Sequence, residues 1–360
     1  MKNRKRKIVV GMSGGVDSSM ALVLLKQQGW QPVGVSLKLP VWQEAPGLSV
    51  ENIYSSNRSL QIAARICRNV NVPHHIIDVR SEFKKTVIGY FISELKNNKT
   101  PNPCVICNRH LKFKKLLEFA EKEKADFIAT GHYARIRKNQ QTGKYELLKA
   151  KDKTKDQTYA LCFLPQEWLG KIVFPLGNYA KKEVYQIAKS SGFEFFLKRK
   201  QSQDFCFATG LSLLSFLKKE IGEKSGDIID NEGNVLGQHS GLHFYTIGQR
   251  RRLGLSGGPY FVKGIDSEKN ILIVTKNEKE VTQRELKLYP FHFISGRSLP
   301  KKQPVMAKVR YRQVLSKALL YPPEKNKLRL VFGRPQRAVT SGQFAVFYQS
   351  EVCLGGGVIL

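Results

Sequence analysis

The sequence predicts an α/β fold, with a parallel sheet and helices on both faces over the first two hundred residues. A small β-rich middle domain and a C-terminal β-barrel-like domain should follow. Three observations carry this reading. Apolar, β-rich runs at residues 8–12, 33–37, 75–79 and 127–130 alternate with helical patterns at 19–28, 58–69, 82–97 and 113–122, the order a parallel sheet with crossover helices requires. After Gly210 one more helix, at residues 211–221, leads into short strands cut by Gly, Asn and Asp, and residues 226–235 look like a hairpin. From about Val281 only strand and turn signals remain. The expected domains are residues 1–209, 210–280 and 281–360.

The first strand is the most informative element because it ends in a glycine turn rich in hydroxyl groups. Residues Gly11, Met12, Ser13, Gly14, Gly15, Val16, Asp17, Ser18 and Ser19 read as a strand end, a tight glycine turn and a helix start. Two glycines let the backbone turn sharply and approach a ligand with no Cβ in the way. The unpaired N–H groups of the next helix then form an anion site. The serines add hydroxyl donors, and Asp17 is a carboxylate where a phosphate-bound Mg²⁺ needs one. No Gly-Lys-Ser/Thr is present, so this is not the loop that grips β- and γ-phosphates in Walker-type proteins. In an open α/β sheet ligands sit beyond the carboxyl ends of the strands, where this loop falls. The segment resembles the PP-loop (SGGxDSS) of the ATP pyrophosphatase superfamily. That resemblance implies cleavage of ATP between its α- and β-phosphates, with AMP attached to an oxygen of the substrate.

Charge is the second clue. The chain has 60 Lys plus Arg against 29 Asp plus Glu, a net charge of +31. Such a surplus calls for a polyanionic partner, most commonly nucleic acid. The excess persists in residues 281–360, which hold 14 Lys/Arg and three Asp/Glu. Basic strands with Tyr311, Tyr321 and Phe347 nearby suit RNA better than a membrane surface. No apolar run approaches the length of a membrane helix. The basic start (Lys2, Arg4, Lys5, Arg6, Lys7) precedes only a short strand run, with no small-residue cleavage site. A cytoplasmic location is therefore expected, with the six cysteines reduced unless they are catalytic or metal-bound.

The cysteines divide into two groups. Cys67, Cys162 and Cys353 lie in apolar patterns and read as core residues. Cys104 and Cys107 sit in the segment Thr100-Pro101-Asn102-Pro103-Cys104-Val105-Ile106-Cys107-Asn108-Arg109, read here as rigid, polar and non-helical, and Cys206 lies in Asp204-Phe205-Cys206-Phe207. Three readings compete: a structural zinc site, which with no second Cys-x-x-Cys only His110 and Cys206 could complete; a thioredoxin-like redox pair, which should sit at a helix start without this proline-rich lead-in; and a sulfur-handling site.

Eight motifs in order then narrow the field: SGGVDSS, TPNPCVICN, Thr130-Gly131-His132-Tyr133, Lys155-Asp156-Gln157-Thr158, DFCF, Gly248-Gln249-Arg250-Arg251, Arg310-Tyr311-Arg312-Gln313 and the terminal CLGGG. Together they closely resemble the tRNA-specific 2-thiouridylase family over essentially the whole chain. The resemblance implies that Gly11 to Ser18, Leu37 and Gly131 contact ATP. It implies that Asn102, Pro103 and Cys104 meet the target base, uridine 34 of the anticodon. His132, Lys155, Asp156, Gln157, Arg310, Tyr311 and Gln343 would contact tRNA. It further implies that Cys107 is the catalytic nucleophile, that Cys206 carries the sulfur as a persulfide, and that a Cys107–Cys206 disulfide forms after transfer. Sulfur would arrive from a donor such as a cysteine desulfurase or a sulfur-relay protein. Many family members have Asp at the position of Cys104. With Cys there, Cys104, Cys107 and Cys206 form an alternative ligand set for a [4Fe–4S] cluster with one open iron. The rival readings are another tRNA-directed PP-loop enzyme, such as a 4-thiouridine or lysidine synthetase, and a non-catalytic RNA-binding protein with a relic nucleotide fold.

Overall fold

The computed structural model describes residues 6–40, 57–198, 205–207 and 211–360. Asp204 and the basic residues Lys2, Arg4 and Lys5 lie outside them.

Strand β1 (Lys7–Gly11) is buried through Ile8, Val9 and Val10. That is the pattern of a strand covered on both faces, so its sequence is continuously apolar rather than alternating. It pairs in parallel with β2 (Gln31–Lys38) and with β4 (Phe127–Thr130), and β3 (His74–Asp78) flanks β2. The sheet order is β3-β2-β1-β4 followed by the short strand Ile172–Val173. Helix α1 (Val16–Gln27) and helix α2 (Asn57–Asn69) bury Met20, Leu22, Ala63 and Ile66 in one core against β1.

Helix α1 starts three residues before the Ser19 expected from the sequence. Gly15 is the N-cap, with φ −89° and ψ 162°. Ser18 and Ser19 do not open the helix but turn their hydroxyls back to the Gly15 carbonyl, at 3.1 and 2.9 Å. This local bonding lets hydroxyl residues sit inside a first turn.

The cysteine segment requires a larger correction. The sequence reads as non-helical over residues 100–109, yet Pro103–Cys107 is a helix that runs through a π-turn at Asn108–Lys112 into the helix Phe113–Lys122. Asn102 caps it, accepting from the N–H groups of Cys104 (3.2 Å) and Val105 (3.4 Å). A proline at the first helical position costs nothing, because its missing N–H would have no partner there. Asn-Pro is therefore a helix start here, and the cap stabilises it by about 1 kcal/mol.

The hairpin expected near residue 226 is present as Gly226–Ile229 against Val235–His239. Gly226–Ile229 also pairs in parallel with Ile271–Thr275 to build the middle sheet. In the last domain six strands close a barrel, because Thr282–Phe293 pairs with both Leu328–Arg337 and Val352–Ile359. Its interior holds Leu286, Leu288, Phe332 and Phe347. One connection is not evident from the sequence. A hairpin of the first domain, Arg135–Lys138 with Tyr145–Leu148, extends the barrel sheet at Val352 and Cys353.

Candidate active site

Strand β1 delivers the glycine loop at its carboxyl end. Gly14 is left-handed, at φ +73°, and a Cβ there would lie 2.2 Å from the Ser59 carbonyl oxygen of α2. Only glycine fits both conditions. Ser18 Oγ accepts from the Ser13 N–H at 3.1 Å, and Ser13 Oγ accepts from the Gly15 N–H at 3.4 Å, which knits the loop to the helix start. No side chain caps α1, so its first N–H groups stay available to an anion. Met12 and Val16 turn their side chains into the core, and only their backbone can face a ligand. Gly11 lies against Leu116. Leu37 sits half-buried between two apolar clusters at the end of β2. Gly131 follows β4, and a Cβ there would stand 2.5 Å from the Ser18 nitrogen. The β4 end and the first turn of α1 thus meet backbone to backbone.

Asp17 is held from two sides. Lys181 Nζ stands 2.5 Å from its Oδ1, and the Tyr133 hydroxyl donates to the same oxygen at 2.8 Å. Sequence reasoning singled out neither residue for the site. Tyr133 lies within one of the eight motifs without a role of its own, and Lys181 is 164 residues from Asp17.

The three candidate cysteines share one cleft. Cys107 is buried in an apolar cluster with Phe83, Phe91 and Leu111, and Phe205, Cys206 and Phe207 pack on that cluster. Phe205 and Phe207 stack at 5.7 Å, and Phe91 meets Phe205 edge-on at 5.3 Å. These rings fix the short Cys206 segment. Cys104 is open to solvent while protein surrounds it closely enough for desolvation to raise its thiol, the setting of a group on a cleft floor. Burial pushes Cys107 up to about 11, and it also raises Cys206, whose thiol further feels Cys107 and Cys104. Lys112, on the π-turn, pulls all three back down. All six cysteines are free thiols, and Cys67, Cys162 and Cys353 are buried as expected. Among the described residues no three His, Cys, Asp or Glu side chains form a metal-holding group. Neither the zinc set nor the three-thiolate set is assembled in this arrangement.

Of the residues expected to meet tRNA, Tyr311 lies within electrostatic reach of Cys104, and several others have internal work. Asp156 is buried and accepts from the Ala150 N–H (3.1 Å) and the Thr158 hydroxyl (2.7 Å). Gln157 accepts from the Tyr133 N–H through its side chain at 2.8 Å, and Lys155 bonds the Asp152 carbonyl through its backbone at 3.1 Å. His132 lies 2.7 Å from Thr130 Oγ1 and stacks on Phe113, and burial together with Lys112 pushes its ring well below the usual imidazole range. Both effects favour the neutral ring over the imidazolium. Arg310 is half-buried and donates to the Ile247 carbonyl at 3.3 Å, tying the barrel to the middle domain. Tyr311 is 40 % exposed, and its hydroxyl feels both Asp156 and Cys104. Gln343 belongs to the barrel turn that meets the cysteine segment, where the Thr100 N–H donates to Ser341 at 2.8 Å. Thr100 also bonds Thr246 of the middle domain at 3.3 Å. All three domains meet beside the cysteines.

Comparison with known proteins matches this division. A tRNA methyl transferase HUP domain model matches residues 6–210, a tRNA methyl transferase PRC-barrel domain model residues 214–276, and an aminomethyltransferase beta-barrel domain model residues 283–359. A tRNA-specific 2-thiouridylase of Halothermothrix orenii is 43% identical over 357 residues, 98% of each chain. The chain belongs to the tRNA-specific 2-thiouridylase family. Its relatives of that description from Clostridium acetobutylicum and Clostridioides difficile are each 40% identical, covering 98% of this chain and 99% and 98% of theirs. These full-length relatives carry a thiolation name, although two of the domain descriptions speak of methyl transfer. Among the described residues no helix is long and apolar enough to cross a membrane.

Proposed function

We propose that this chain replaces the 2-oxygen of uridine 34 in tRNA anticodons with sulfur, using ATP to activate the oxygen and a cysteine persulfide to deliver the sulfur. As a family member it is a tRNA sulfurtransferase that forms 2-thiouridine. The single observation carrying the mechanism is that a glycine loop with an uncapped helix start and a cleft holding three thiols belong to one domain, with the other two domains closing around the cleft.

The chemistry answers a leaving-group problem. Oxide will not depart from C2, so the carbonyl oxygen attacks the α-phosphate of ATP and pyrophosphate leaves. The N–H groups at the start of α1 take up charge on the phosphates. Asp17 has one oxygen bound to Lys181 and Tyr133 and no partner for Oδ2 among the described residues, a donor set that fits a Mg²⁺ shared with substrate phosphates. When bound, that ion neutralises phosphate charge.

The terminal sulfur of a Cys206 persulfide then attacks C2 and AMP departs with the oxygen. Cys107 thiolate attacks Cys206 Sγ, so the S–S bond breaks, the sulfur stays on the base, and a Cys107–Cys206 disulfide forms. A thiol reductant reopens it. The donor of the persulfide sulfur is a cysteine desulfurase or a sulfur-relay protein. Asn102, Pro103 and Cys104 meet the unstacked base, which an anticodon loop presents at small cost. Lys155, Asp156, Gln157, His132, Arg310, Tyr311 and Gln343 border the tRNA path.

The test separates the two halves. With an anticodon stem-loop, Cys206→Ala should still release pyrophosphate from ATP but form no 2-thiouridine, and wild-type thiolation by this variant contradicts the mechanism. Because the three thiols are not assembled as a cluster-binding set, active protein purified anaerobically should contain no iron or acid-labile sulfide, and finding both would favour the [4Fe–4S] alternative over the persulfide.

A further inference from the structure

The nucleotide loop is not self-sufficient. Lys181 is the first residue of the helix Lys181–Ser190, the position at which the helix dipole disfavours a cation. It is nevertheless nearly buried, its side chain 11% exposed. Its ammonium lies over the rings of Tyr133 and Tyr185, at 5.7 and 5.1 Å, and points at Asp17 Oδ1. Its backbone N–H donates to Asp152 Oδ2 at 3.0 Å, which places a carboxylate at the helix start and offsets the wrong charge. Tyr133, the other group on Asp17 Oδ1, is bracketed by Gln157, which binds both its N–H and its carbonyl. Two separate routes thus run from the loop at residues 149–157 to one oxygen of Asp17.

From this geometry we infer that Lys181 is a positioning residue of the nucleotide site. It locks Asp17 through Oδ1, directs Oδ2 toward the phosphate-bound divalent cation, and cancels the carboxylate charge that would otherwise repel the nucleotide. The inference rests on the nucleotide reading of the glycine loop and not on the identity of the base that is thiolated. Without Lys181, Asp17 is an uncompensated anion beside the phosphates. Metal-free ATP then suffers its full repulsion, while a divalent cation relieves it.

The test is calorimetric binding of ATP to the full chain, with Mg²⁺ and with EDTA, for wild type, Lys181→Met, Asp17→Asn and the double variant. Lys181→Met should weaken metal-free ATP binding at least tenfold and Mg²⁺–ATP binding much less, widening the ratio between them. In the Asp17→Asn background the same change should leave the ratio unmoved, since the two residues act as one unit. Equal weakening of both forms, or an equal effect with Asp17 already neutral, overturns the inference. Circular dichroism and affinity for the anticodon stem-loop, both expected to stay within twofold of wild type, exclude misfolding. Nucleotide binding that behaves as described in a protein that thiolates no tRNA leaves Lys181's role standing and removes the proposed function alone.

Discussion

The Thr100 N–H donates to the Ser341 carbonyl at 2.8 Å, fastening a turn of the C-terminal barrel directly to the segment that carries Cys104 and Cys107. The neighbouring Gly342 makes this approach feasible. It is left-handed, at φ +86°, and a Cβ there would stand 2.9 Å from Lys99 Cβ and 3.1 Å from the Thr100 nitrogen. Gly342→Ala should therefore cost about 1–3 kcal/mol from the backbone conformation and crowding together. Thermal unfolding should show a lower Tm, and thiolation should fall more than ATP binding. Unchanged thiolation would mean that this contact does not place the cysteines.

The cleft keeps its thiols protonated. Burial raises Cys107 from 9.0 to about 11, so the folded state retains a proton that the unfolded chain releases near pH 9. Stability from this group is complete below pH 9 and is lost as pH rises toward 11. Site-resolved iodoacetamide labelling should find Cys107 about two orders of magnitude slower than a free thiol at pH 7.5, rising about tenfold per pH unit toward 11. A plateau near pH 8.5 contradicts the buried setting.

Lys112 is the cation that opposes this burial at Cys104, Cys107 and Cys206 alike. Lys112→Met should raise all three thiols and slow Cys107 labelling by several-fold to about tenfold, one pKa unit being tenfold in thiolate. Sulfur transfer should slow with it while pyrophosphate release stays near wild type. An equal loss in both steps points instead to a phosphate contact.

Tyr311 is the exposed aromatic on the barrel side of the cleft. Its ring meets Tyr159 edge-on at 6.0 Å, and Lys308 donates to its carbonyl with the ammonium 5.7 Å from the ring centroid. Tyr311→Ala should leave the fold intact yet weaken anticodon stem-loop binding by about 1–3 kcal/mol, the worth of one base–aromatic stack. Arg310→Ala should act differently, loosening the tie to Ile247 and lowering Tm. Titration at two salt concentrations should show the log-linear fall in affinity expected of phosphate contacts in both variants.

Local features were legible in the sequence. The strand, glycine turn and helix at Ser13–Ser19, the helix Leu211–Ile221 and the hairpin at Gly226 are set by neighbouring residues, and all appear. The helix at Pro103 escapes a reading in which prolines only break helices, although Asn102 followed by Pro103 is a cap and a first turn. Lys181 could not be found by spacing, because its partner lies 164 residues earlier in the chain, on the helix its own helix packs against. A lysine opening a helix was the one signal available, since only a nearby carboxylate makes it tolerable there. The hairpin of Arg135–Lys138 with Tyr145–Leu148 looks like part of the first domain, and its pairing at Val352 and Cys353 shows that it extends the barrel sheet.

The glycine loop and the cysteine cleft are assigned the two halves of one thiolation. Mass spectrometry of tRNA nucleosides after incubation with ATP, Mg²⁺ and a sulfide or persulfide donor reads both halves at once. The wild-type chain should yield 2-thiouridine at position 34, and Asp17→Ala, Cys107→Ala and Cys206→Ala should yield none. Thiouridine formed without ATP, or formed at the wild-type rate by the Cys206 variant, would refute that assignment.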